Sequence, residues 1–335
     1  MNVTESKAES FDDTCPMNEK FWTQEHQVEK VAFAMTTIFL NILTSPVTIV
    51  MNVLVIMAVK TRPRLRSKYN ILLACLAGTD LLIGVASQPS YIVGQIYVMK
   101  GISASEYCEY HKLTNLLVLS PIFASVLHLA LISIERFVAM KYTFRYLTFF
   151  TGLRLKIAVV STWVFAFFPA ILGSLSKTLG FISNVVSMIV LFVNIFLILF
   201  CHLSVYFVTR RHEKQIKCEQ VSPEAAAEFA KEKKALKTTR IIIMALLACL
   251  FPLSMYVFFW LLFSKRDCFL GSVILLSHPV FVWLSSLNSL CNPFIYCYRN
   301  KMFRKACNEL VRMKCTDFNE VEELIKMSIT GVWNG

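Results

Sequence analysis

The stretch that decides the fold is Asn292-Pro293-Phe294-Ile295-Tyr296, at the end of the last of seven long apolar segments. Proline inside a membrane helix removes one backbone hydrogen bond and leaves a carbonyl group without its usual partner. Hydrocarbon contains no water to replace that bond, so neighbouring polar groups must do so. Because an asparagine precedes the proline and a tyrosine follows one turn later, we expect a joint that can move rather than a plain membrane anchor.

The segments that lead to this stretch are long enough to cross a bilayer. The chain has 335 residues, 56% of them hydrophobic, which is too apolar for a soluble globular protein. Intervals free of Asp, Glu, Lys and Arg cover residues 31–59, 113–134, 157–176, 178–209, 241–264 and 268–298, and residues 69–99 contain only Asp80. Each can hold a membrane helix of about 20 residues. The sequence therefore predicts an all-α membrane protein. A seven-transmembrane helix bundle (31–299) would lie between an extracellular tail (1–30) and a cytoplasmic segment (300–335).

Basic residues predict the orientation of this bundle. Of the 34 Lys and Arg residues, 26 follow the first, third, fifth and seventh spans. Cytoplasmic loops carry an excess of basic residues, so we expect the N-terminus outside and the C-terminus inside, in the plasma membrane. The net charge of +12 then reflects topology, and no nucleic-acid partner is expected. Asn2-Val3-Thr4 is a glycosylation sequon on the predicted outer side.

A short amphipathic helix is predicted after the last span, beginning near Lys301. Basic residues occupy one face, and the apolar face consists of Phe303, Ala306, Cys307 and Leu310. Such a helix suits the surface of an anionic membrane leaflet, which makes membrane lipids a partner. Cys307 and Cys315 are candidates for palmitoylation, with ordinary free thiols as the alternative.

Asp80 is the only acid within an apolar span. A lone carboxylate in the membrane is costly and must face polar partners, water or an ion. Oxygen ligands from other spans would suit a small hard cation such as sodium, the one ion that we expect as an allosteric cofactor. The candidate partners of Asp80 are Asn52, Ser125, Asn288, Ser289 and Asn292.

Glu135-Arg136-Phe137 stands where the third span meets the predicted cytoplasm. Arg136 can pair with Glu135 or with an acid on another helix, for which Glu232 is the obvious candidate. A pair that forms in one state and breaks in another can act as a switch. Pro252 should kink the sixth span.

The sequence contains no catalytic constellation, so we do not expect an enzyme. A channel or transporter is the alternative to a receptor. It would need several polar groups along a continuous path, whereas Asp80 is the only ionised residue in mid-membrane.

These residues together resemble rhodopsin-like (class A) G-protein-coupled receptors. The resemblance covers all seven spans and the helix that follows. It rests on the order and spacing of Asn52, Leu76-Ala77-Gly78-Thr79-Asp80, Glu135-Arg136-Phe137, Trp163, Tyr206, Pro252 and Asn292-Pro293-Phe294-Ile295-Tyr296. It implies a receptor that binds an extracellular ligand and activates a heterotrimeric G protein through outward movement of the sixth helix. Arrestin is a further implied partner.

The resemblance also implies roles for individual residues. Arg136 would be the switch arginine and Glu232 its partner in the inactive state. Tyr206 and Tyr296 would approach Arg136 in the active state, and Phe144 would supply an apolar contact for the G protein.

The chain departs from the family pattern in several places. Leu250 replaces the tryptophan two residues before Pro252, and Ile198 replaces the usual proline of the fifth span. The second outer loop, near residues 176–184, has no cysteine, so Cys108 would pair with Cys15 or Cys268 instead. These departures are similar to those of the melanocortin, cannabinoid, lysolipid and adenosine receptor group.

The implied ligand class follows mostly by exclusion. Val118 stands where amine receptors carry an aspartate, and Ser286 stands where opsins carry the retinal lysine. The predicted ligand pocket is lined by Tyr91, Gln95, Asn115, Val118, Asn194, Tyr256, Phe281 and Ser285. Apolar surface with neutral hydrogen-bonding groups predicts an uncharged or lipid-like small molecule, with a peptide as the alternative.

Overall fold

The structure is a computed structural model that describes residues 27–102, 104–218, 241, 244, 248, 251–252, 254–259, 262, 269–299 and 301–314. Within these residues the chain is helical apart from short turns, and no strand occurs in the described part. The all-α prediction is therefore confirmed. The helices are α1 (Gln27–Thr61), α2 (Lys68–Leu82), α3 (Gln88–Lys100), α4 (Ala104–Lys141), α5 (Tyr146–Phe149), α6 (Gly152–Gly173), α7 (Lys177–Cys218), α8 (Phe269–Arg299) and α9 (Lys301–Lys314).

Six helical stretches in the described chain are long and apolar enough to cross a membrane. They are Gln27–Thr61, Lys68–Lys100, Tyr110–Lys141, Gly152–Gly173, Thr178–Arg211 and Leu276–Tyr298. These stretches coincide with the first five and the seventh of the predicted spans. The sixth predicted span is described only in part, and its described residues, 251–252 and 254–259 among them, are helical.

The second span contains a wide π-helical turn, Ile83–Ser87, between α2 and α3. Its carbonyl at Gly84 accepts a 2.9 Å hydrogen bond from the Ser45 hydroxyl of α1. The Ser87 hydroxyl donates a 2.7 Å bond to the Leu117 carbonyl of α4. The irregular turn is thus held to α1 through Ser45 and to α4 through its own Ser87, so that polar groups are paired within the membrane interior.

The connection between α6 and α7 is shorter than the sequence predicts. We expected a loop near residues 176–184, but α6 ends at Gly173 and α7 begins at Lys177. The Ser176 hydroxyl accepts a 3.2 Å bond from the Leu179 amide, which caps the new helix. This cap converts most of the expected loop into the first turns of α7.

The amphipathic helix α9 packs against the inner end of the bundle. Its predicted apolar face is buried, with exposed fractions of 1% for Phe303, 4% for Ala306, 6% for Cys307 and 9% for Leu310. This face joins the main hydrophobic cluster with residues of α1, α2 and α8. The Cys307 thiol therefore faces protein, and its position does not support the predicted palmitoylation. Cys315 lies outside the described residues.

Candidate functional site

A cavity of about 310 Å³ opens within the outer half of the bundle. That size is at the lower end of small-molecule sites. Side chains from α3, α4, α7, the sixth span and α8 surround it. Its described lining is Tyr91, Gly94, Gln95, Tyr107, His111, Thr114, Asn115, Val118, Leu119, Ile122, Phe123, Val126, Gly173, Gly180, Ser183, Asn184, Ser187, Met188, Leu191, Ser254, Tyr256, Val257, His278, Pro279 and Val282. None of these residues is Asp, Glu, Lys or Arg.

The structure divides the predicted pocket residues into two groups. The cavity is lined by Tyr91, Gln95, Asn115, Val118 and Tyr256. The other three lie outside the lining. Asn194 donates a 2.7 Å bond to the Val190 carbonyl of its own helix. Ser285 likewise donates to the Val282 carbonyl, at 2.7 Å. Phe281 packs against Tyr256, with ring centroids 5.4 Å apart and ring planes tilted by 32°.

Two histidines that sequence reasoning missed lie in this cavity beside tyrosines. The Tyr91 hydroxyl is 3.5 Å from Nδ1 of His278, and the Tyr256 ring is 5.3 Å from the His278 ring. On α4, Tyr107 stacks on His111 with ring centroids 6.0 Å apart. Helical periodicity could have identified His111, since it lies seven residues, or two turns, before Val118. The arrangement offers large aromatic surfaces with neutral hydrogen-bonding edges.

Below the cavity, Asp80 is fully buried and is hydrogen-bonded to side chains of two other helices, α4 and α8. Its Oδ1 accepts hydrogen bonds from the hydroxyls of Ser289, at 2.8 Å, and Ser125, at 3.2 Å. Its Oδ2 accepts a 2.8 Å bond from the Asn292 amide. Three of the five predicted partners therefore contact Asp80 directly. Asn52 joins the cluster indirectly by donating a 3.1 Å bond to the Ser289 carbonyl.

The amide oxygens around Asp80 are not all satisfied. Oδ1 atoms of Asn52, Asn288 and Asn292 are buried without a hydrogen-bond partner. Every donor that reaches the carboxylate from the described residues is neutral, so these hydrogen bonds leave its charge uncompensated. A carboxylate with hydroxyl and amide oxygens is the ligand set of a hard cation. The oxygen atoms of these side chains therefore fit a sodium ion as its ligands.

At the inner end of α4, Glu135 and Arg136 form a closed ion pair. Two nitrogens of the Arg136 guanidinium donate to the two carboxylate oxygens of Glu135, at 2.5 and 2.6 Å. Glu135 also accepts a 2.5 Å bond from the Tyr146 hydroxyl. The guanidinium lies 4.3 Å from the centre of the Tyr69 ring. Because Glu135 is 0% and Arg136 6% exposed, this pair is held in one defined geometry.

Three other predicted switch residues differ in their exposure and contacts. Phe137 packs on Met140 and Val205. Tyr206 is 38% exposed and accepts a 3.2 Å bond from Arg210. Tyr296 is 1% exposed, and its hydroxyl has no hydrogen-bond partner.

Three further predictions concern positions at the edges of this site. Phe144 is fully exposed in the short helix Thr143–Arg145. Pro252 lies within a described helical stretch of the sixth span. Glu232 lies outside the described residues.

Cys108 is disulfide-bonded near the outer end of α4. Both predicted partners, Cys15 and Cys268, lie outside the described residues, as does the Asn2 sequon. The choice between the two pairings stays a prediction.

Comparison with known proteins identifies the family. The family model described as "7 transmembrane receptor (rhodopsin family)" matches residues 51–183 and 174–296. Histamine H2 receptor of Rattus norvegicus is 25% identical over 321 residues, which cover 89% of this chain and 84% of the relative. Trace amine-associated receptor 6 of Homo sapiens is 25% identical over 288 residues, 78% of this chain and 80% of the relative. The order of the motifs, the bundle and the family match agree: the chain belongs to the rhodopsin family of seven-transmembrane receptors.

Proposed function

We propose that this receptor binds an uncharged or lipid-like small molecule in the outer cavity. The observation that carries the proposal is the cavity lining, which combines apolar and aromatic surface with neutral hydrogen-bonding groups and, among its described members, no charged side chain. A site of this kind recognises shape and a few hydrogen bonds rather than a charge. A peptide that reaches the acidic outer tail is the alternative.

A cationic amine is a second candidate, because the chain is similar to receptors named for histamine and trace amines. An ammonium group buried without a carboxylate would lose its hydration without compensation. Val118 lines the cavity at the position where the sequence comparison expects the amine-binding aspartate. Asp80 lies elsewhere, enclosed by Ser125, Ser289 and Asn292. The lining therefore favours the uncharged ligand.

Signal transmission would proceed through the inner ion pair. Members of this family are receptors for extracellular ligands that activate heterotrimeric G proteins, and they are not enzymes. A ligand can shift the receptor only by binding its two states with different affinity. We infer that the ligand favours a state in which the sixth helix moves outward, Arg136 leaves Glu135, and exposed Phe144 contacts the G protein. Arrestin binding to the same inner surface is part of this proposal.

We also propose a subgroup within the family, a cellular location and a lipid contact for this receptor. Ile198 in place of the fifth-span proline and the loop without cysteine support a resemblance to the melanocortin, cannabinoid, lysolipid and adenosine group. The basic inner segments support a plasma-membrane protein with an external N-terminus. The exposed basic residues Lys301, Arg304 and Lys305 of α9 support contact with anionic lipids.

We further propose that the Asp80 cluster holds a sodium ion. Asp80, Ser125, Asn288, Ser289 and Asn292 would supply its oxygen ligands. The ion would neutralise the buried carboxylate when bound. Support comes from the neutral donors around Asp80 and from the unpaired Oδ1 atoms of Asn288 and Asn292.

The ligand proposal can be tested in cells that express the full chain with reporters for several G-protein classes. Uncharged lipid-like molecules and amines are screened side by side. We expect hits among the uncharged molecules. We also expect Val118→Phe to abolish the response to such a hit, because the larger ring occupies the cavity. An amine agonist that Val118→Phe blocks, or an uncharged agonist whose response survives Val118→Phe, would contradict the proposal.

A matched variant separates filling of the cavity from general damage. Val193→Phe makes the same chemical change on α7, at a side chain that is 58% exposed and lies outside the cavity lining. Its response and its surface expression should equal those of the unmodified receptor.

A further inference from the structure

Two cysteines at the inner end of the bundle form a close pair that the proposed function does not use. Cys297 belongs to the last turns of α8 and Cys307 to α9, and their Sγ atoms are 3.6 Å apart. Cys307 is 6% exposed, whereas Cys297 is only partly buried. A disulfide has an S–S distance of about 2.05 Å, so the sulfurs must approach by about 1.5 Å. Side-chain rotation in two adjoining helices can supply a shift of that size.

We propose that Cys297 and Cys307 are a redox-sensitive pair, which hydrogen peroxide converts into a reversible disulfide between α8 and α9. The proposal stands on the contact between the two sulfurs and on their location. Both residues lie at the predicted cytoplasmic end of the bundle, where thiols are normally kept reduced and where oxidation is therefore a transient signal. Cys297 lies one residue before the end of its span, Leu276–Tyr298, whereas Cys75 and Cys201 lie deeper within theirs.

Hydrogen peroxide is the only oxidant that formation of this disulfide requires. Cys297, the more accessible sulfur, attacks as the thiolate and breaks the O–O bond, giving a sulfenic acid and hydroxide. The hydrogen bond to Cys297 and burial raise the pKa of the Cys307 thiol, so Cys307 brings a proton to the second step. Its sulfur attacks Cys297, the S–S bond forms as the S–O bond breaks, and the leaving hydroxide takes that proton. Two thiols and one peroxide become one disulfide and two waters.

The disulfide would act on its neighbour Tyr296, a predicted switch residue. This consequence rests on the proposed function. Tyr296 precedes Cys297 and packs against Phe303 of α9, with ring centroids 6.4 Å apart. Both aromatic side chains are 1% exposed. Movement of Tyr296 towards Arg136 requires this packing to open. A covalent link between Cys297 and Cys307 would hold it closed and so favour the inactive state.

The bond itself can be tested without any signalling measurement. Membranes that contain the full chain are treated with hydrogen peroxide, free thiols are alkylated, and the digested protein is examined by mass spectrometry. We expect a peptide pair linked through Cys297 and Cys307 that dithiothreitol separates. Cys297→Ser and Cys307→Ser should lose it, and Cys75→Ser should keep it. Separate oxidation of the two sulfurs, or no linked peptide from the unmodified chain, would overturn the proposal.

A second measurement tests the consequence. Ligand-independent nucleotide exchange on a G protein is compared before and after peroxide. We expect a loss of exchange in the unmodified receptor that dithiothreitol restores, and no loss in Cys297→Ser. If the disulfide forms and nucleotide exchange stays unchanged, the proposed effect on Tyr296 is wrong. Absence of exchange before oxidation even in Glu135→Gln, which should signal without ligand, would count against the proposed function instead, so the two failures are distinguishable.

Discussion

Glu135 and Arg136 form the buried ion pair that we propose sets the resting state of this receptor. The carboxylate receives two guanidinium bonds and a bond from Tyr146 in a buried site. Hydrogen bonds to charged groups contribute about 1.5–3 kcal/mol each. Breaking this pair therefore changes the balance between receptor states far more than loss of an exposed ion pair would.

We predict that Glu135→Gln raises ligand-independent signalling, by roughly tenfold for each 1.4 kcal/mol by which the resting state is weakened. The amide keeps the shape of the side chain but loses the charge that holds Arg136. G-protein reporter output, normalised to surface expression, measures the effect. Glu309→Gln is the matched control, since its ion pair with Arg62 is exposed by 38% and 42%. Equal basal output from Glu135→Gln and the unmodified receptor would contradict the role of the pair.

Asp80 allows a prediction that needs no known ligand. If sodium binds only the folded receptor, sodium at about ten times its Kd adds about 1.4 kcal/mol to stability. We predict a higher thermal unfolding midpoint in sodium chloride than in choline chloride at equal ionic strength. Asp80→Asn should remove that difference, because the amide carries no charge to balance. Sodium-dependent stabilisation that persists in Asp80→Asn would show that sodium does not bind at Asp80.

At the scale of elements, two glycines of the second span provide an internal comparison. A Cβ at Gly84 would lie 2.8 Å from Cγ1 of Ile49 on α1, whereas a Cβ at Gly78 would meet nothing within 4 Å. Gly84 thus marks the closest approach of α1 to the wide turn. Gly78 lies in a regular part of α2 with open space beside it.

We predict opposite effects of the same substitution at these glycines. Gly84→Ala should destabilise the bundle by about 1–3 kcal/mol, because the new methyl forces α1 away from the turn. Gly78→Ala should be neutral or stabilising, by up to about 1 kcal/mol, because alanine favours a regular helix. Thermal unfolding of the purified receptor in detergent measures both. Equal unfolding midpoints for Gly84→Ala and Gly78→Ala would show that α1 adjusts freely at Ile49.

Elements also differ in how far the sequence predicts them. The buried face of α9 follows from periodicity, because Phe303, Cys307 and Leu310 recur at helical spacing. The start of α7 does not, since Ser176 caps a helix where composition predicts a loop. The wide turn at Ile83–Ser87 is also absent from the prediction. It depends on a bond from Ser45 of α1 to the Gly84 carbonyl and a bond from Ser87 to the Leu117 carbonyl of α4, which no local pattern records.

At the scale of the whole molecule, the asymmetry of Lys and Arg predicts the orientation. We expect an epitope tag at the N-terminus to be stained on intact cells and a tag at the C-terminus only after permeabilisation. The physical reason is retention of basic segments in the cytoplasm during insertion. As a control, the expression level of each tagged protein should equal that of the untagged protein. The reverse staining pattern would also reverse the assignment of the cavity to the outer side.

The sequence by itself determined the membrane helices, their order and the chemical demand of Asp80. Each follows from local physics, since a bilayer requires long apolar helices and does not tolerate a lone carboxylate without partners. Tertiary structure alone decided that His278 lines the cavity while Asn194, Phe281 and Ser285 do not. It also brought Cys297 to Cys307. Those outcomes depend on helix rotation, tilt and loop length, which arise from packing between distant segments and leave no periodic signal in the chain.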